Sequence, residues 1–172
     1  LCDWSDLEHW NGGRLDEESG VLHTDAKDLK SKESFAAYTI HLEFRTPFRP
    51  KARGQGRGNS GFYQTNGKEV QVLDSFGLEG LKNECGGLYG KAGSRINMCL
   101  PPLTWQTYDV ELKPSEDDPK SGTLTVRHNG VIIHDKVPTR LGGKRGFTLQ
   151  GHGNLLQYRN IWLVEHEVPT AN

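Results

Sequence analysis

Apolar residues in this chain recur at every second position, in short runs broken by Gly, Asn, Asp or Pro. That rhythm belongs to β-strands. In 39–45, Ile40, Leu42 and Phe44 share one parity, while His41, Glu43 and Arg45 share the other. Successive strand side chains point to opposite faces, so such a run has one apolar and one polar side. The same split places Phe147 and Leu149 against Thr148, Gln150 and His152, and Val70 and Val72 against Glu69 and Gln71. Further strands are expected at 20–23, 37–45, 61–64, 87–89, 106–113, 122–128, 131–137 and 158–165. The polar turn 117–122 and the Asn129-Gly130 hairpin signal separate three of them. Helical periodicity is nearly absent, with a short helical piece expected only near 24–32. About ten short strands without a repeat fit an all-β, two-sheet antiparallel β-sandwich or jelly roll.

A length of 172 residues suits a single domain spanning 1–172, able to bury roughly 70% of its unfolded surface. Twenty-one basic residues stand against 22 acidic ones, so composition gives no electrostatic case for nucleic acid. The one basic run, 49–58, is Gly-rich and leads straight into a strand, which reads as a loop beside a site. No apolar run approaches the ~20 residues of a membrane span. No signal peptide is visible, and the opening at Leu1-Cys2 suits a mature or trimmed form. Cys85 and Cys99 either bridge a loop of about 15 residues or sit as two buried thiols. Cys2 is left over, a lipid-anchored first residue on position alone.

Glu, Gln, Arg and His on one-sided strands are suited to directed hydrogen bonds with hydroxyls. They point to a wet sheet face that recognises something polar, with an ordinary solvated face as the alternative. Tyr63 and Tyr89 adjoin Gly-rich loops and are candidates for stacking on a ligand. Trp4, Trp10, Trp105 and Trp162 could do the same, although core packing is expected of Trp105 and Trp162. His134 is expected to be solvated, and His23, His128 and His166 to lack a partner in register. The spacing Glu69-x-Gln71-x-x-Asp74 approaches that of laminarinase-type glycosidases, but the middle acid is an amide and the last is short. Without a bulge, Asp74 falls on the core parity, where it is expected to cap the Ser75-Phe76-Gly77 turn. Ser60 lies in Gly-Asn-Ser-Gly and lacks the spacing of a nucleophilic serine.

Several runs, in order, resemble the 3-keto-disaccharide hydrolase domain family. They are Leu42-Glu43-Phe44-Arg45, Gly56-Arg57-Gly58-Asn59-Ser60-Gly61, Glu69-Val70-Gln71-Val72-Leu73-Asp74-Ser75 and Gly86-Gly87-Leu88-Tyr89-Gly90. Later come Trp105-Gln106-Thr107-Tyr108-Asp109-Val110, Asn129-Gly130-Val131, Leu149-Gln150-Gly151-His152-Gly153 and Tyr158-Arg159-Asn160-Ile161-Trp162. The resemblance implies a concanavalin-like jelly roll with a carbohydrate groove on its concave face. It also implies action on 3-keto-glycosides, in a bacterial secreted or periplasmic protein. A ketone at carbon 3 acidifies the hydrogen on carbon 2, so one base can start cleavage. Strand parity offers Glu69 as that base, His152 as acid or oxyanion partner and Arg45 as enolate stabiliser. Glu43, Asn59, Tyr63, Gln71, Asp74, Tyr89 and Gln150 are the expected sugar contacts. No His or Cys spacing requires a metal, but Glu69, Asp74 or His152 could hold a divalent ion at the keto oxygen. The competing functions are a carbohydrate-binding module, an ordinary glycoside hydrolase and an adhesion domain.

Overall fold

The structure is a computed structural model describing residues 2–3 (backbone only), 6–24, 26–142 and 145–169. Five short strands, β1 (Cys2–Asp3), β2 (Trp10–Asn11), β3 (Arg14–Asp16), β4 (Val21–His23) and β5 (Leu29–Ser31), precede the long β6 (Tyr38–Arg45). The hairpin β7 (Ser60–Tyr63) and β8 (Glu69–Val72) comes next. An irregular excursion then leads to β9 (Gln106–Pro114), β10 (Ser121–His128), β11 (Val131–Arg140), β12 (Thr148–Leu149) and β13 (Gln157–Glu165). Expected and observed strands coincide within a residue or two through β6 to β10 and at β13, while β11 runs three residues past the expected end at Val137. The helix expected near 24–32 is instead β5, because Leu29 is drawn into the core and its neighbours pair with β12 and β2. The segment expected as a strand at 87–89 makes only isolated bridges.

Two antiparallel sheets form a jelly-roll-like sandwich. The larger runs β11-β10-β9-β6-β13-β4-β3, with β1 also paired to β13; the smaller runs β2-β5-β12-β7-β8. The apolar parity predicted for β6 is the buried one: Tyr38, Ile40, Leu42 and Phe44 are fully buried. They face Phe62, Val70, Val72 and Leu149 of the smaller sheet in one apolar cluster. Phe147 packs edge-on against Tyr38 at 4.7 Å and stacks with Phe62 at 5.6 Å, joining the two layers. Asn129 and Gly130 both adopt positive φ, 50° and 79°, as the tight β10–β11 hairpin requires.

Three buried tyrosines of the larger sheet reach across to the smaller one. Tyr108 Oη donates to the Gln71 carbonyl at 2.6 Å, and Tyr38 Oη to Gln64 Oε1 at 3.2 Å. Ser60 Oγ gives its single proton to the Gln150 carbonyl at 2.6 Å, so Tyr158 Oη donates to Ser60 Oγ at 2.7 Å. Burial raises the pKa of each phenol, keeping all three as donors. The free edge of β8 is covered by residues 86–89: Gln71 N donates to Gly87 O, Gly86 N to Gln71 O and Tyr89 N to Glu69 O.

Three histidine expectations are overturned. His134 is buried, its Nε2 on the Gly86 carbonyl at 2.8 Å; His128 is buried against Gln106 Oε1 at 3.0 Å; His166 pairs with Thr39 Oγ1 at 2.8 Å. Cys85 and Cys99 are free, buried thiols: Cys85 Sγ lies 3.2 Å from Tyr108 Oη, and Cys99 Sγ accepts from Ser75 N at 3.4 Å. Trp4 and the Cys2 side chain lie outside the described residues. None of the helices is long and apolar enough to cross a membrane, among the described residues.

Candidate active site

On the outer face of the smaller sheet, the polar parity of β8 carries Glu69 and Gln71. Opposite them on β7 stand Tyr63, paired with Glu69, and Gly61, paired with Gln71. Gly61 sets where Glu69 lies: a Cβ there would meet Glu69 Oε1 and lie 2.8 Å from its carboxyl carbon, so the carboxyl end would have to shift. The missing side chain lets Glu69 fold across the β7 backbone. Gln71 presents one end of its amide to two acceptors, the Ser60 carbonyl at 2.7 Å and Glu69 Oε1 at 3.1 Å. That end is therefore the NH2 group, donating to both. The Tyr63 hydroxyl stands on the facing strand beside Glu69 and favours its ionised form.

Beside these residues is a hollow of about 110 Å3. Glu69, Gln71 and Tyr63 line it from the hairpin, and Gln150 and His152 from the segment after β12. Asn59 and Tyr89 line it from the loops at either side. Seven of the ten residues predicted from sequence thus meet here. Gln150 is fixed by its backbone N–H to the Gly61 carbonyl at 2.9 Å and by Ser60 on its own carbonyl. The eighth lining residue, Gln55, was not foreseen. It sits in a 3-10 turn, Gly54–Gly56, with one end of its amide 2.8 Å from the Asn83 carbonyl and the other 3.1 Å from the Asn59 amide and 2.9 Å from that of Gln71. The signal was available: an amide between two glycines, in the loop already read as flanking a site.

Partial burial raises the Glu69 carboxyl above the ordinary carboxylate value, while the Tyr63 hydroxyl and the nearby His152 pull it back. The Tyr63 phenol is raised in turn, by burial first and then by Glu69, so it stays protonated. The pocket therefore pairs a basic carboxylate with the Tyr63 phenol and four amides, Gln55, Asn59, Gln71 and Gln150, with Tyr89 at its side. Exposed His152 stands at its lip.

Three predicted residues lie elsewhere. Arg45 and Glu43 belong to β6 in the larger sheet, and their polar parity is that sheet's outer face, across the sandwich from Glu69. Arg45 Nε donates to Gln157 Oε1 at 2.7 Å, and Glu43 accepts from Arg159 at 2.7 Å and Asn160 at 2.9 Å. Both guanidinium groups lie over Trp105, at 4.8 and 4.1 Å from its ring centre, and Trp162 stacks on His41. These two tryptophans thus pack against polar partners on a sheet exterior, while Trp10 is in the core. Asp74 is buried, held by Arg57 at 2.6 Å, and accepts from Phe76 N at 3.4 Å as a turn cap. Of the expected metal set only Glu69 and His152 flank the hollow, and no three His, Cys, Asp or Glu converge among the described residues.

The model of the 3-keto-alpha-glucoside-1,2-lyase-like domain family matches residues 1–164. Among curated proteins none matches. A solved structure from Parabacteroides distasonis ATCC 8503, provisionally named a glycosyl hydrolase, superposes with a TM-score of 0.80 at 26% identity. The alignment covers 94% of this chain and 80% of that one. Another from the same organism, named likewise, gives 0.64 at 20% identity over 94% and 92%. The carbohydrate-binding module CBM66 of Bacillus subtilis gives 0.54 at 12% over 92% and 96%, which is likeness of fold alone.

Proposed function

The chain belongs to the 3-keto-alpha-glucoside-1,2-lyase-like family, and on that premise we propose that it cleaves 3-keto-glycosides at the Glu69 pocket. Glu69 removes the proton on carbon 2, and the electron pair of that bond becomes the enolate of the 3-ketone. The enolate re-forms the carbonyl, the bond from carbon 1 to the glycosidic oxygen breaks, and the departing oxygen takes a proton from His152. The product is the enone, to which water can add for net hydrolysis. Once Glu69 is protonated, the Tyr63 hydroxyl is released to donate to the developing enolate oxygen, the task first expected of Arg45. Gln71, Asn59 and Gln150 hold ring hydroxyls, and Tyr89 covers the ring.

The observation that carries this reading is a lone basic carboxylate, held by Gln71 beside the Tyr63 hydroxyl, facing a polar hollow. An ordinary retaining glycosidase needs a second carboxyl about 5 Å away. The other carboxylate of the expected motif, Asp74, is buried against Arg57 instead. One base suffices for elimination next to a ketone. The test is release of a chromophore from a 3-keto-glucoside. Wild type should turn over, and Glu69→Gln should lose about 10²–10⁴-fold in rate, the usual contribution of a positioned base. Full activity in Glu69→Gln removes that residue from the chemistry. Sugar binding without release by wild type would favour a binding module, the alternative suggested by the likeness to CBM66.

A further inference from the structure

Past Tyr63 and Gln150, the Glu69 pocket adjoins a second hollow of about 400 Å3, lined by those same two residues. Arg145 on its wall also lines a third hollow of about 520 Å3 at the β7–β8 turn, together with Lys68 and Arg140. The second and third hollows contain four cations, Lys30, Lys68, Arg140 and Arg145, against one carboxylate, Asp28. That carboxylate is already committed: Asp28 Oδ2 pairs with Lys30 at 3.3 Å, and Oδ1 accepts from Gly151 N at 3.0 Å. Lys68, Arg140 and Arg145 have no carboxylate partner among the described residues. The whole chain carries a formal net charge of −1, so this excess is local. Neutral sugar hydroxyls do not call for it, and clustered cations repel one another unless an anion joins them.

We infer that the groove leading from Tyr63 to Arg145 and Arg140 binds a leaving group bearing negative charge, a uronate or a sulfated sugar. This rests on the reading of the Glu69 pocket as the keto-sugar site, because the oxidised ring over Glu69 would place its departing partner past Tyr63 and Gln150. Arginine forks suit both anions, a planar carboxylate being held by two parallel hydrogen bonds.

The test compares 3-keto-glucosides whose leaving sugar is glucose, glucuronate or glucose 6-sulfate. At low salt, kcat/KM for an anionic leaving sugar should exceed that for glucose by about tenfold, and the ratio should shrink in 0.5 M salt. Arg140→Gln and Arg145→Gln together should bring the ratio close to one, with thermal melts checking that the variant is folded. The relative standing of uronate and sulfate identifies which anion is preferred. A ratio of one in wild type, or a preference surviving the double substitution, overturns the inference. Should no keto-glycoside be cleaved, the reading of Glu69 fails separately, and calorimetry with unoxidised glucosyl-glucuronate and glucosyl-glucose decides the anion groove. Tighter binding of the uronate that the double variant loses supports it, and equal affinity overturns it.

Discussion

Gly61 and Glu69 act as one unit, since the carboxylate occupies the space a side chain at 61 would fill. Gly61→Ala should therefore displace the base while leaving strand geometry intact. Activity on a 3-keto-glucoside should fall at least about tenfold, as expected when a reacting group is misplaced by an ångström. An alanine variant with wild-type kinetics would contradict this placement. The pH dependence has a worked sign. Burial raises the Glu69 carboxyl above its ordinary 4.5, and the reaction needs the ionised form. The acid limb of kcat/KM should thus lie above the usual carboxylate range. Tyr63→Phe removes a hydroxyl that favours ionised Glu69 and should move that limb to higher pH. Linkage runs the other way for stability. Between 4.5 and the raised folded value the native state holds the extra proton, so stability falls as pH rises through that window. Glu69→Gln should consequently melt at or above wild type at neutral pH, the advantage vanishing below pH 4.5. Melting curves at the two pH values check this. At this scale parity showed which residues leave the core, and Gln55 escaped because a residue in a loop has no parity to read.

The strands were legible wherever they were long enough to alternate, as in β6, where four buried residues interleave with His41, Glu43 and Arg45. The two- and three-residue strands β2, β3 and β5 were invisible, because so short a stretch shows no alternation and β2 and β5 find each other only across the β3–β4 hairpin. His134 was misjudged for a related reason: its acceptor, the Gly86 carbonyl, is 48 residues away. The tyrosines that cross between sheets offer a test at this level. Tyr158→Phe deletes the donor to Ser60 Oγ while keeping the ring in the core. The expected loss is about 1 kcal/mol, a typical net hydrogen bond. That corresponds to a melting point lower by roughly 2–4 °C for a domain of this size. No change in the melt would show that the cross-sheet bond is not made.

Across the whole molecule, the main error of the sequence reading was to merge two faces. Parity separates inside from outside but does not say which sheet a strand joins, so β6 was credited to the ligand face although it lies in the opposite layer. Arg45→Ala accordingly should change kcat/KM by less than about twofold. Its effect should be confined to stability, at roughly 0–1 kcal/mol for a partly exposed polar network. A large kinetic defect would place Arg45 back in the reaction. The family motifs were readable as a set along the chain, yet only the fold divides them between the Glu69 pocket and the Trp105 face. The most direct test of the whole proposal uses a 3-keto-glucoside carrying deuterium on carbon 2, with mass spectrometry of the released sugar. Proton abstraction by Glu69 predicts a product that has lost the label, at a rate collapsing in Glu69→Gln. Cleavage with the deuterium still on carbon 2 would contradict it.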